Sequence, residues 1–300
     1  MKIENLLKNK WLQFIVSFLS IIGGLITIGP FIPIIPIWAW ISVSLLVILI
    51  VLIFLIRRIF RKTIPFNPFL YKGYISPNDF FGRKMLLRQI FEELKKGTNL
   101  SLIGDREIGK TSLLHKVCQL GKQELPEKTF IYLDMQAITN EDRFFESLCN
   151  KMGITVCRSS ELEQALQGKQ YVLCLDFIER MKSQLFSGNE RTELRGFAEG
   201  ADAPLTLLIA SRFSLDTLFP EDYSRLESSP LDGICHNLDI LPFGQSEVRD
   251  FIQTRLQPTG KPFTEEEIEQ IWEATQGHPA RVQEIAAKLY RQKFESNNTD

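Results

Sequence analysis

The sequence predicts an α/β fold in which a parallel sheet carries helices on both faces and is followed by a small helical subdomain. Apolar strand-like runs alternate with helical runs over residues 80–242, and the strand-like runs stop at Phe243. Two long uncharged runs precede this body. We therefore predict five parts in order: a two-helix transmembrane hairpin (1–62), a linker (63–79), the α/β domain (80–242), a helical lid (243–294) and a disordered tail (295–300).

The N-terminal hairpin is predicted from residues 11–29 and 37–56, which contain 19 and 20 residues and no charge. Each run can cross a hydrocarbon core of about 30 Å as a helix. Three prolines between the runs, at positions 30, 33 and 36, favour a tight turn. The spans contain no ionisable residue, so we expect an anchor in the lipid bilayer and not a pore. A signal peptide and a buried soluble hairpin are the alternatives. The first has a shorter apolar core and no second span, and the second does not need so unbroken an apolar surface.

Charge is distributed unevenly along the chain. Residues 1–62 carry seven basic residues and a single acidic one, Glu4, which gives +6 and leaves −7 for the remainder of a chain whose net charge is −1. Basic residues lie before the first span and after the second, and the connecting loop has none, so the positive-inside rule places both termini and the body in the cytoplasm. The acidic body gives no support for nucleic-acid binding. The five cysteines are scattered without a CxxC pair and are expected to be reduced thiols.

The linker (63–79) is rich in Pro, Gly, Asn and aromatic residues, which predicts an extended tether. A helix follows from about residue 84 and ends near Gly97. Ser246 and Thr264 are predicted N-caps of lid helices. The predicted strands are 100–103, 129–133, 171–175, 205–210 and 236–241. The later predicted helices are 112–120, 141–152, 160–167, 190–199, 246–257, 264–275 and 280–294.

Residues 104–111, GDREIGKT, fit the pattern G-x-x-x-x-G-K-[ST] between a predicted strand and a predicted helix. Glycines let the backbone turn so that N–H groups point at phosphate oxygens, and the helix presents its positive end to the same anion. Lys110 would reach the β- and γ-phosphates, and the Thr111 hydroxyl would bind Mg²⁺. The predicted nucleotide-binding residues of this loop are Gly104, Asp105, Arg106, Glu107, Ile108, Gly109, Lys110, Thr111 and Ser112.

Other candidate residues follow predicted strands, where ligands of parallel sheets bind. Asp176 would bind Mg²⁺ with Thr111; capping the next helix is the alternative role. Glu179 is the nearest carboxylate that could orient a water for attack on the γ-phosphate. Arg212 would sense the γ-phosphate charge, unless it is a solvated loop arginine. His278 and Pro279 could close over the nucleotide, or simply begin a helix.

Several segments in order resemble the STAND-type P-loop ATPases, signal-transduction ATPases related to the AAA+ class. FFGRKMLL resembles the segment before the phosphate loop, GDREIGKTSLL the Walker A motif and LCLDFIER the Walker B motif. The ASR after the fourth strand resembles the sensor arginine. LPFGQSEVRDFI and GHPARVQ resemble the helical lid. The resemblance covers about residues 80–290.

The resemblance implies a P-loop NTPase sheet, bound ATP or ADP with Mg²⁺, and an adenine site near Phe81, Gly82 and Pro279. It also implies an ADP/ATP switch. We expect this switch to act through self-association, as a homo-oligomer, or through a separate effector protein. Members commonly carry Glu after the Walker B aspartate, where this chain has Phe177, so we expect weak turnover. A membrane scaffold that holds nucleotide without hydrolysing it is the alternative function.

Overall fold

The computed structural model describes residues 42, 45–47, 49–51, 67–69, 73–224 and 231–294. The chain divides into two units, Met1–Ile64 and Pro65–Asp300. In the first unit the described residues are all helical. The predicted span 11–29 and most of the predicted span 37–56 lie outside the described residues, as does the tail. Within the described part, no helix has both the length and the apolar character needed to cross a membrane.

The second unit contains a five-stranded sheet in which all paired strands are parallel. Its strand order is β2-β3-β4-β1-β5. The predicted strands are confirmed, with ends that move by at most two residues. The strands are β1 (Asn99–Ile103), β2 (Thr129–Asp134), β3 (Tyr171–Asp176), β4 (Leu205–Ser211) and β5 (Cys235–Asp239).

The predicted helices are also confirmed, although α2 runs four residues past its predicted end at residue 120. The extension includes Gly121, where a Cβ atom would overlap the Phe130 ring, so the glycine permits close packing of α2 on β2. The helices are α1 (Lys84–Lys95), α2 (Lys110–Glu124), α3 (Glu141–Met152), α4 (Ser159–Leu166), α5 (Asn189–Ala198), the short α6 (Leu215–Leu218), α7 (Gln245–Leu256), α8 (Glu265–Thr275) and α9 (Pro279–Phe294).

The two predicted N-caps have different outcomes. Thr264 caps α8 through a capping box with Glu267, as the sequence predicts. The prediction for Ser246 is wrong, because α7 begins one residue earlier, after Gly244, and no side chain caps it. Gly is tolerated at this position because the extended backbone of the cap needs no side chain.

The sheet is covered on both faces, and successive residues of β3 show how. Tyr171, Leu173 and Leu175 pack into a core with α3, α4 and α5, whereas Val172 and Cys174 pack into a second core with α1 and α2. Side chains of a strand alternate between faces, so burial of both faces requires an unbroken apolar run. This explains why the central strands lack polar alternation in the sequence.

The expectation of an extended tether at 63–79 is wrong for its described residues. Phe69 is only 2 % exposed and belongs to the hydrophobic core of the lid, α7 to α9. Its ring lies 6.0 Å from that of Phe263, and the neighbouring Asn67 donates a hydrogen bond from Nδ2 to the Ala287 carbonyl at 2.9 Å. Hydrophobic burial therefore fixes this part of the segment to the lid.

Residues 73–79, which we call the docking segment, lie against α2. The Ile75 N–H donates to the Ser112 hydroxyl at 3.0 Å, and Lys116 Nζ donates to the Pro77 carbonyl at 3.0 Å. Arg255 of α7 donates to the Asp79 carbonyl at 2.7 Å. The described residues of the predicted linker are thus attached to both the lid and the sheet domain.

The burial of Phe69 predicts that Phe69→Ala destabilises the lid. Removing a fully buried aromatic ring should lower the free energy of unfolding by about 3 kcal/mol. Phe213→Ala is the matched control, because Phe213 is 50 % exposed and its truncation should change stability by less than about 0.5 kcal/mol. Chemical denaturation of the full-length chain measures both; equal effects would show that residue 69 is not anchored.

Candidate nucleotide site

A cleft of about 1750 Å³ lies at the carboxyl ends of the strands, between the sheet and α9. The predicted residues Arg106, Glu107, Gly109, Lys110, Thr111 and Ser112 line it. Asp176, Glu179, Arg212 and Pro279 line it as well. The structure therefore brings together residues from the loop, two strand ends and the lid.

The loop 104–111 has the backbone that an anion site requires. Glu107 and Gly109 have φ values of +62° and +101°, and α2 begins directly after Gly109. A Cβ atom at Gly104 would lie 2.9 Å from Ile108 Cγ2 and 3.2 Å from Ile240 Cβ, so close packing favours glycine there. The free N–H groups and positive dipole of the α2 N-terminus face the cleft, where a phosphate would be stabilised.

Lys110 is held against its own loop. Its Nζ donates to the carbonyls of Gly104 at 2.7 Å and Asp105 at 2.8 Å. Burial lowers the pKa of Lys110, while the charges of Glu179 and Asp176 oppose that shift. The ammonium group is therefore positioned at the loop, within the field of both carboxylates.

Asp176 is the buried carboxylate of the cleft, with only 1 % of its surface exposed. Burial raises its pKa, and hydrogen bonds from Thr111, Tyr132 and the Phe177 N–H oppose the shift. The Tyr132 hydroxyl donates to Oδ2 at 3.0 Å, and the Phe177 N–H donates to Oδ1 at 3.1 Å. Each carboxylate oxygen thus has a fixed partner.

The donor chemistry of Asp176 and Thr111 fits Mg²⁺, which prefers oxygen ligands and commonly uses one or two protein groups together with phosphates and waters. Among the described residues there is no group of three or more His, Cys, Asp or Glu side chains that could hold a metal ion. A metal site made of such side chains alone is therefore not found there. Asp176 and Thr111 do not need one, because phosphates and waters can supply the other Mg²⁺ ligands.

Three neighbouring aromatic rings lead to Asp176, and sequence reasoning missed them. The ring centres of Tyr74 and His115 are 4.3 Å apart, and those of His115 and Tyr132 are 4.1 Å apart. Burial lowers the pKa of His115. The pKa of Tyr132 is raised, mainly by burial and to a smaller extent by the negative charge of Asp176. Tyr132 therefore stays a protonated donor to Asp176. The three residues come from separate elements, so no local pattern indicates them.

The two predicted catalytic residues are in direct contact. The Arg212 N–H donates to Glu179 Oε1 at 2.6 Å, which fixes the carboxylate at the end of β4. The guanidinium of Arg212 lies 5.5 Å from the centre of the Phe213 ring. Phe177, which follows Asp176, has a φ of +57° and packs against the core. Glu179 is thus the first carboxylate after Asp176 in the chain that lines the cleft.

The lid contacts the loop directly through His278 and is linked to it by Arg83, which lies before α1. His278 Nε2 lies 3.1 Å from the Arg106 carbonyl. Arg83 donates from Nη2 to the Ile108 carbonyl, and its N–H donates to Glu247 Oε1 at 2.8 Å. Burial lowers the pKa of Arg83 to about 10, and the Glu247 charge opposes the shift. Arg83, which sequence reasoning passed over, thus links the loop to the start of α7.

Other predicted contact residues lie away from the cleft surface. The ring of Phe81 packs 5.4 Å from that of Phe251, against the lid core, and Ile108 is 1 % exposed. Gly104, Asp105 and Gly82 also do not contribute to the lining of the cleft. The role of Phe81 and Gly82 in an adenine site stays a prediction.

The parallel sheet, the glycine loop before α2 and the lid define the P-loop NTPase fold. Solved structures share it: a Walker-type ATPase of Pyrococcus abyssi matches with 19 % identity and a TM-score of 0.53, over 77 % of each chain. The ORC2 protein of Aeropyrum pernix, in ADPNP and ADP complexes, matches with 15 % identity and a TM-score of 0.54, over 77 % of this chain and 67 % of that one.

The Aeropyrum pernix ORC1 protein in complex with DNA matches with 15 % identity and a TM-score of 0.51, over 71 % of this chain and 61 % of that one. No family model and no curated protein matches the sequence. At these identities the structural matches establish the fold.

Proposed function

We propose that this chain is a membrane-anchored, STAND-type ATP-binding switch whose body faces the cytoplasm. The observation that carries the proposal is the convergence of Lys110, Thr111 and Asp176 on one cleft, beside the free N-terminus of α2. Lys110 would bind the β- and γ-phosphates, and Thr111 and Asp176 would hold Mg²⁺, which would neutralise phosphate charge. The proposed ligands are ATP and ADP.

The lid supplies the moving part of the proposed switch. His278 and Pro279 lie at the start of α9, where the first contacts the loop and the second lines the cleft. A nucleotide can shift the lid only through contacts that differ between two lid positions, and Pro279 and Arg212 can make such contacts with a bound nucleotide. A changed lid surface would then bind a second copy of the chain or a separate effector.

The membrane part of the proposal rests on the uncharged runs 11–29 and 37–56 and on the basic residues that flank them. In the described part of the second run, Leu45, Leu46, Leu49 and Ile50 are between 53 % and 62 % exposed. A lipid environment would cover these side chains favourably. The signalling role is proposed from the resemblance to STAND-type ATPases.

Nucleic acid is not part of the proposal, although the ORC1 match was solved in complex with DNA. The chain outside residues 1–62 carries a net charge of −7 within a total of −1. DNA binding depends mainly on basic side chains at phosphates, and this balance opposes it.

Lys110→Ala tests nucleotide binding. MgATP at about 100 times its Kd should stabilise the wild-type full-length chain by about 2.7 kcal/mol, and the variant should lose most of this stabilisation. Thermal melting with and without MgATP measures the difference. Lys122→Ala is the matched control, because Lys122 lies exposed in the same helix, far from the loop. The proposal fails if Lys110→Ala is stabilised as strongly as the control.

Glu179→Gln tests whether the chain is an enzyme. The amide oxygen can still accept the Arg212 N–H, so the fold should be unchanged, whereas the ability to accept a proton is lost. If Glu179 activates water, release of phosphate from ATP should fall by at least about 100-fold while ATP binding persists.

A non-catalytic nucleotide-holding scaffold is the second candidate, and Phe177 after Asp176 favours it. In that case the wild-type chain should copurify with intact ATP and release no phosphate above the level of the Glu179→Gln variant. Identification of the bound nucleotide by chromatography, with and without Mg²⁺, distinguishes the two functions.

The anchor predicts that the full-length chain stays in the membrane fraction after an alkaline carbonate wash. Charged residues in the centre of a span should weaken this retention, since each costs about 2.5 to 3.5 kcal/mol there. Leu19→Arg combined with Leu49→Arg should therefore release the chain, whereas Lys8→Ala combined with Lys10→Ala should not. Release of the wild-type chain by carbonate would contradict the anchor.

A further inference from the structure

The neighbouring rings of Tyr74, His115 and Tyr132, which we call the aromatic column, connect the docking segment to the buried carboxylate of the cleft. Tyr74 belongs to the docking segment, His115 to α2 and Tyr132 to β2. The planes of Tyr74 and His115 are 17° apart, and those of His115 and Tyr132 are 34° apart. At its inner end the Tyr132 hydroxyl donates to Asp176 Oδ2 at 3.0 Å.

At the inner end of the column, Tyr132 hydrogen-bonds to Asp176, a carboxylate that a second group also holds in place. Asp176 and Asp134 are paired in register at the ends of β3 and β2, so the Tyr132 hydroxyl, two residues before Asp134, reaches across the strand pair. The Phe177 N–H holds the other oxygen, Oδ1. Groups that hydrogen-bond a metal-binding carboxylate orient it and tune its affinity.

The outer end of the column is held by the docking segment. Tyr74 is 54 % exposed, and the next residue, Ile75, donates its N–H to Ser112 at 3.0 Å. Ser112 directly follows the loop residue Thr111, so the docking segment is attached at the loop as well as through the rings. Tyr74, His115 and Tyr132 all line the cleft.

We propose that Tyr132 is the positioning residue of Asp176 for Mg²⁺, and that Tyr74 acts on the same carboxylate through the stacked ring of His115. The inference rests on the proposed MgATP site and adds its regulation. A change at Tyr74 would alter the affinity for Mg²⁺ through Asp176. Conversely, metal binding at Asp176 would favour the stacked position of Tyr74, because coupling between two sites is reciprocal.

The test uses the full-length chain and measures ATP affinity over a range of Mg²⁺ concentrations, with EDTA as the metal-free reference. Tyr132→Phe keeps the ring and removes the hydroxyl. It should raise the Mg²⁺ concentration for half-maximal effect by about 10-fold and leave ATP affinity in EDTA unchanged. Tyr171→Phe is the matched control at the opposite end of the β2–β3 pair, and it should leave both values unchanged.

The outer ring is tested by a double-mutant cycle. Tyr74→Ala should also raise the Mg²⁺ midpoint, and Tyr74→Phe, which keeps the ring, should restore the wild-type value. If Tyr74 acts through the Tyr132 hydroxyl, Tyr74→Ala should add nothing to the effect of Tyr132→Phe.

Three outcomes would overturn the inference. A wild-type Mg²⁺ midpoint in Tyr132→Phe would remove the positioning role, with the proposed function intact. Equal losses of affinity in Mg²⁺ and in EDTA would show a structural effect on the cleft. Independent effects of the two substitutions would remove the coupling through the column. A wild-type chain that binds no ATP would instead refute the proposed function, and with it this inference.

Discussion

The arrangement of loop and lid depends on the contacts of Arg83. Its guanidinium donates to the Ile108 carbonyl within the loop and lies 5.3 Å from the centre of the Phe243 ring, where the lid begins. The Arg83 N–H is bonded to Glu247 of α7. Burial lowers the pKa of this group, yet at about 10 it stays charged at neutral pH. A buried charge that loses its partners is costly, so the Ile108 contact of Arg83 stabilises the link between loop and lid.

The sequence predicts much of the fold because the determining signals are local. Apolar runs give all five strands, and the loop pattern gives the position of Lys110 and Thr111. Apart from the local error at Ser246, the failures involve contacts between distant residues. Phe69 lies 182 positions before Phe251, a lid residue with which its ring packs, so the composition of its own segment suggests a tether. Likewise, Arg83 and Glu247 are 164 positions apart, and only the fold reveals their bond.

Binding and turnover depend on different parts of this cleft. The loop backbone, Lys110 and Asp176 are fixed by hydrogen bonds within the protein, which is the preorganisation that an anion and its cation require. Hydrolysis additionally needs a group that orients water, and the position after Asp176 is a phenylalanine packed on the core. Glu179 is the available substitute, but its Oε1 is occupied by the Arg212 N–H. The cleft therefore presents more of the groups needed for nucleotide binding than of those needed for hydrolysis.

The segment before the α/β domain is attached to the body by two contacts of different kinds. At the lid, Phe69 is 2 % exposed among aromatic rings, and burial of such a ring is worth several kcal/mol. At α2, the contacts are hydrogen bonds such as that of Ile75 to Ser112, each worth about 0.5 to 1.5 kcal/mol. Gain or loss of a bound nucleotide can change contacts of the second kind far more easily than those of the first. The α2 attachment, which carries Tyr74, is thus the one suited to change while the lid attachment is retained.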